Sequence, residues 1–125
     1  IDLKRRIVVG YDSANRHLRA WKIDAAHNGN EHDVELTPLW HHAQFGAASH
    51  MLLFAKTGEL FKNDYSRFNK QVRVLDIETG EEKGRVQTGG RMQGVVFPSV
   101  GWHQDFYWCS MDRLARIYVP SLMLN

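Results

Sequence analysis

A chain of 125 residues has room for one domain-sized core and excludes a large two-domain enzyme. With 43% hydrophobic and 24% charged residues it has the composition of an ordinary folded chain, which excludes disordered, collagen-like and coiled-coil proteins. Sixteen Lys and Arg are interspersed with fourteen Asp and Glu, so no basic stretch tracks a phosphate backbone. No apolar run nears the ~20 residues of a membrane span, and neither nucleic acid nor membrane is an expected partner.

The N-terminal Ile1-Asp2-Leu3-Lys4-Arg5-Arg6 has charges with no apolar segment behind them, and no initiator Met. A processed chain or a piece of a longer one is therefore expected. From there the apolar runs are short and rich in Val, Ile, Leu and aromatics, broken by Gly, Asn, Asp and Ser. They predict strands over 6–12, 17–24, 35–41, 49–55, 59–65 and 71–77, then 82–87, 92–98, 105–110 and 114–119. This is the ~8–12-residue spacing of an all-β meander, and no helix of ordinary length fits. Tight turns fall at Tyr11-Asp12-Ser13-Ala14-Asn15, Lys56-Thr57-Gly58-Glu59 and Glu78-Thr79-Gly80-Glu81, where Gly, Asn or Asp suits a sharp reversal. The polar stretch from Ala25 to Asp33 reads as a long solvated hairpin loop.

Internal repetition organises these strands. Residues 47–54 align with 90–97 at a shift of 43, and Val72-Arg73-Val74-Leu75 then falls on Ala115-Arg116-Ile117-Tyr118. Leu18-Arg19-Ala20-Trp21 matches Val72-Arg73-Val74-Leu75 at a shift of 54. A period of ~40–50 residues with four short strands is one blade of a β-propeller. The expected architecture is all-β: a propeller segment of about three blades, each a short four-stranded antiparallel sheet, with pieces over about 5–44, 49–88 and 92–119. Continuous apolar runs such as Met51-Leu52-Leu53-Phe54 suit innermost strands buried on both faces, and the polar stretch 81–87 suits an outer one.

Val74-Leu75-Asp76-Ile77-Glu78-Thr79-Gly80-Glu81 resembles the repeat of PQQ-like and WD40-like β-propellers, in which an Asp-x-x-Thr-Gly turn joins the third and fourth strands of a blade. That family has Ala where Val74 stands and an aromatic where Gly84 stands, and Trp40 in the preceding fourth strand is the better match to that aromatic. The resemblance implies a ring of four or more blades. The expected partners are thus the remaining blades of a longer chain, or a second copy that closes a homo-oligomer. It also implies an alternative to a non-catalytic scaffold, part of a quinoprotein oxidoreductase using PQQ with Ca²⁺. The catalytic members use paired cysteines and an acidic and amide cluster, whereas this chain has Cys109 alone and no such cluster. The reading is therefore a scaffold that leans away from enzyme, with no cofactor assigned and no compartment indicated.

Candidate site residues follow from the repeat. His50 and Gln93 occupy equivalent positions at the entrance to an innermost strand, beside the central channel. With His42, Gln44 and Arg91 from the preceding connectors, they form a polar channel mouth suited to a small ligand or a protein partner. Seven histidines also raise a metal site, but His41 and His42 are adjacent on a strand and point to opposite faces, so only one of them can meet His50. No metal is assigned. Connector residues Asp12, Asn15 and Arg16, then Asp64, Tyr65 and Arg67, then Asp112 and Arg113, read as a recurring turn cap or ion pair. Cys109 lies in an apolar strand and is expected in the core, with Trp102, Phe106, Tyr107 and Trp108 packing between blades.

Overall fold

A computed structural model describes residues 1–12, 14–43, 51–66, 69–88, 97–101, 105–109 and 113–118, with side chains at all of these except 64–66, 69–70 and 97–98. The described residues contain ten strands and no helix. These are β1 (Ile7–Asp12), β2 (His17–Ala25), β3 (Val34–Ala43), β4 (Met51–Phe54), β5 (Glu59–Ser66), β6 (Asn69–Asp76), β7 (Glu82–Gln87), β8 (Phe97–Val100), β9 (Phe106–Cys109) and β10 (Leu114–Ile117). They pair only with chain neighbours, all antiparallel, into a first sheet β1-β2-β3, a middle sheet β4-β5-β6-β7 and a third sheet β8-β9-β10. The chain is thus all-β, and its described sheets do not close into a ring.

One turn geometry recurs four times. Asp2 pairs with Ile7, Asp12 with His17, Phe54 with Glu59 and Asp76 with Glu81, each pair closing a four-residue reversal. The fourth residue of each reversal is left-handed: Arg6 at φ 57°, Arg16 at 56°, Gly58 at 75° and Gly80 at 74°. Where the leading residue is aspartate, its carboxylate accepts the amides of the turn. Asp2 takes Arg5, Asp12 takes Ala14 and Asn15, and Asp76 takes Glu78 and Thr79. Phe54 has no such group, and its carbonyl accepts the Thr57 and Gly58 amides instead. The connector set therefore acts as a turn cap at Asp12. The side chain of Asp64, with Arg67 and Asp112, lies outside the described residues.

The middle sheet is covered on both faces, because its strands alternate apolar residues to either side. Leu60 and Leu75, with Met51 and Leu53 beside them, meet Leu18, Val9, Tyr11 and Trp40 of the first sheet, and Ile77 joins Ile7 and Ala20. On the opposite face Phe61, Val72 and Val74, with Leu52 and Phe54, meet Phe106, Trp108, Ile117 and Ala115 of the third sheet. Phe61 sits edge-on to both Phe54 and Phe106, with ring centroids 4.8 and 4.6 Å apart. Each such fully buried side chain is worth about 1.5–3 kcal/mol of hydrophobic stabilisation. The buried Trp108 donates its indole N–H to Asn63 Oδ1 at 2.9 Å, which gives this junction a fixed polar registration point.

Several expectations need correction. The 54-residue shift holds at the level of faces, since Leu18 and Ala20 point to the next sheet as Val72 and Val74 do. The 43-residue shift does not. Ile117 pairs with Phe106 and faces back to the middle sheet, as Leu75, pairing with Leu60, faces back to the first. Ile117 is thus the counterpart of Leu75, 42 residues on, and a slip of one residue exchanges the two faces of a strand. The eighth strand runs on to Val100, with residues 92–96 outside the described set. Cys109 is exposed, because β9 alternates Phe106 and Trp108 inward with Tyr107 and Cys109 outward. Polar residues 26–33 do form the loop of the β2–β3 hairpin, tied by Asn28, Asn30 and Asp33 to one another.

Candidate functional site

The most highly organised group of polar side chains lies where the first sheet meets two turns of the middle one. Those turns, 54–59 and 76–81, are held side by side by the Ile77 amide, which donates to the Gly58 carbonyl at 2.9 Å. Neither glycine can be replaced freely, since each is left-handed and lies under a side chain, Gly80 under Trp40 of the first sheet and Gly58 under Arg5 of the turn that precedes β1. A Cβ on Gly80 would come within 2.6 Å of the Trp40 indole, and one on Gly58 within 2.9 Å of the Arg5 guanidinium.

Trp40 reaches from edge strand β3, lies over Gly80 and donates its ring N–H to the Ile77 carbonyl at 2.9 Å. His42 projects from the same face two residues on. Its Nε2 lies 2.5 Å from the Gly80 carbonyl, which can only accept, so this nitrogen carries the proton. The Trp40 and His42 rings are 5.4 Å apart. Arg5 completes the clamp, donating to the Ala55 carbonyl at 2.7 Å and to Asp2 Oδ2 at 2.8 Å, with its Nε 3.3 Å from Glu78 Oε1. Burial disfavours the charged form of Asp2, but the Arg5 amide and guanidinium outweigh it, and its pKa lies below the ordinary carboxylate value.

A second device recurs between sheets. Glu59 opens β5, the second strand of the middle sheet, Asp105 immediately precedes β9, the second strand of the third sheet as described, and both carboxylates are buried. Glu59 meets Lys83 of β7 at 3.1 Å, and Asp105 accepts from Arg116 of β10, whose pKa is raised by that bond. Sequence reading missed both pairs, although acids at the head of otherwise apolar strands were a visible signal. Lys62, also buried, places its ammonium 4.5 Å from the centroid of Tyr11, across the junction with the first sheet.

Of the predicted site residues, His42 is part of the clamp, its ring engaged by the neighbouring turn. Gln44, His50, Arg91 and Gln93 lie outside the described residues. His41 points to the opposite face of β3, with its ring 6.0 Å from that of His17. Beside His17 a shallow groove of about 160 Å³ is lined by Gly10, Tyr11, Asp12, Arg19 and Trp21. Among the described residues no three His, Cys, Asp or Glu side chains converge as metal ligands. The chemistry of the clamp is cohesive: its donors are spent on turn carbonyls and carboxylates that lock one sheet to the next. Comparison with known protein families, with curated proteins and with solved structures finds no match to this chain.

Proposed function

We propose that the three sheets are consecutive blades of a β-propeller of the PQQ-like or WD40-like type, and that the chain is a non-catalytic scaffold binding a small ligand or a protein partner through its strand connectors. The observation that carries this reading is the seat of Trp40 on Gly80. The tryptophan of β3, the last strand of the first sheet, lies on the Asp-x-x-Thr-Gly turn of the next sheet. The neighbouring of β4 and β8, the opening strands of two successive sheets, supports it too, since innermost strands of adjacent blades line a common axis. Gln44, His50, Arg91 and Gln93, on the connectors leading into those strands, are the residues this reading assigns to the ligand.

Both ends of the stack leave apolar side chains exposed: Val34, Leu36 and Leu39 on the first sheet, Val100, Tyr107 and Leu114 on the third. Further blades, from a longer chain or a second copy, would cover them. Light scattering tests the proposal. Residues 1–125 are expected to self-associate at micromolar concentration, and a longer chain with more periods to be monomeric. A well-behaved monomer of the 125-residue chain overturns the propeller reading.

A further inference from the structure

The loop that closes the β2–β3 hairpin holds the chain's one Asn-Gly pair, Asn28-Gly29. Asn15, Asn30, Asn63 and Asn69 are followed instead by Arg16, Glu31, Asp64 and Lys70, whose side chains crowd their own amide nitrogens. Gly29 has none, its backbone is left-handed at φ 80°, and nothing stands within 4 Å of where a Cβ would be. Its amide nitrogen is therefore open to close approach by the Asn28 side chain. Residues 27–33 are all exposed, so solvent reaches both groups.

The Asn28 side-chain amide is engaged at both of its polar atoms. Oδ1 accepts the Asn30 amide N–H at 2.9 Å, and Nδ2 donates to Asp33 Oδ2 at 2.7 Å. Two further bonds fix these partners in place: the Asp33 amide donates to the Asn30 carbonyl and the Ala26 amide to the Asp33 carbonyl, each at 3.2 Å. A nucleophile that attacks Cγ drives negative charge onto Oδ1, where the Asn30 N–H already points, as a donor in an oxyanion hole does. The departing nitrogen gains positive charge as it takes up a proton, and the Asp33 carboxylate lies against it.

We infer that Asn28 is a site of spontaneous covalent modification, with the chain's own Gly29 nitrogen as nucleophile and water as the co-reactant. The Gly29 nitrogen gives its proton to solvent and bonds to Asn28 Cγ. The Cγ–Nδ2 bond breaks, and Nδ2 takes a proton from solvent and leaves as ammonia. Water then opens the cyclic imide at either of its two carbonyls. Opening at Cγ breaks the new bond and leaves aspartate at position 28. Opening at the main-chain carbonyl breaks the original peptide bond, so the chain runs on through the side chain as isoaspartate. Nothing is oxidised or reduced. Either product sets a carboxylate against Asp33 where an amide donor stood, so the bond that ties the loop across becomes a like-charge contact. The tip opens, while β2 and β3 stay paired from Ala25 and Val34 inward. Only the hairpin is required, so the inference stands apart from the scaffold reading.

The test incubates the 125-residue chain at mildly alkaline pH in water enriched in heavy oxygen and follows each asparagine by peptide mapping. The expected result is release of ammonia and conversion of Asn28 to a mixture of aspartate and isoaspartate, each carrying one solvent oxygen. Conversion at the other asparagines, and at Asn28 in Gly29→Ala, is expected to be at least about tenfold slower. Asp33→Asn, which keeps an acceptor but removes the charge, should slow it severalfold. Asn28→Asp, made directly, should lose hydrogen-exchange protection at the Asn30 amide and keep it in β2 and β3. Conversion of Asn28 no faster than that of Asn15 or Asn30, or unchanged in Gly29→Ala, overturns the inference. So does conversion that is about tenfold slower in the folded chain than in urea, since the loop's hydrogen bonds would then hold the amide away from attack. An Asn30 amide still protected in Asn28→Asp overturns the opening of the tip.

Discussion

Arg16 and Gly80 stand at the same place in two copies of one turn, and the contrast isolates what that place demands. At φ 56° Arg16 has the left-handed backbone that L residues resist, and its side chain is exposed. Replacing it with glycine is expected to stabilise the chain by about 1 kcal/mol in urea unfolding. The reverse change, Gly80→Ala, combines the same backbone strain with a Cβ 2.6 Å from the Trp40 indole, and is expected to cost about 3 kcal/mol. Equal effects at the two positions would show that the indole contact contributes nothing. Gly80 was legible as a turn glycine because Asp76 and Thr79 flank it in the sequence. The second demand on it was not legible, since Trp40 is 40 residues away and reaches it across a sheet junction.

At the scale of the element, turns and edge strands are held by carboxylates whose pKa is lowered. Burial disfavours charged Asp2 and charged Glu82 alike, yet the hydrogen bonds of Arg5 to the first and of Arg73 and Arg85 to the second prevail. Each group therefore holds fewer protons folded than unfolded as pH falls through its ordinary value of 3.8 or 4.5. The stability they contribute is complete above that value and is lost as pH drops through the lower folded pKa. Melting temperature is thus expected to hold between pH 7 and 5 and to decline steeply below about 4. Arg5→Met should lower the melting temperature at pH 7 and flatten the acid decline. A parallel decline in both proteins would remove Arg5 from the account.

Element positions were legible to a few residues, because short apolar runs between turn-forming residues leave little choice. Register in the third sheet was not. A similarity of letters at a shift of 43 set Val74 on Ile117, whereas the residue that does the same packing is Leu75. Both strands read as apolar next to basic, and only the packed face tells the two alignments apart.

For the whole molecule, the middle sheet is the part that both others need. Trp108 from the third sheet bonds to Asn63 of the middle one, and Trp40 from the first bonds to Ile77. Trp108→Phe removes the indole donor in a buried site and is expected to cost about 1–3 kcal/mol. If the stack is one cooperative unit, amide protection falls in β6 as well as in β9. A loss confined to β9 would mean that the third sheet opens independently. The all-β character and the grouping of short antiparallel strands were legible in the sequence. The polar connectors chosen as the candidate site were visible as letters, but the clamp of Arg5, Trp40 and His42 draws on three distant segments that no local pattern joins.

The β2–β3 hairpin has a further use. Its loop is exposed throughout residues 27–33 and bonded chiefly to itself, and Gly29 at its tip has open space around it. Backbone that carries no inter-sheet contact tolerates added chain. The tip is therefore the natural attachment point for a label or tether, one that loads neither junction between the sheets.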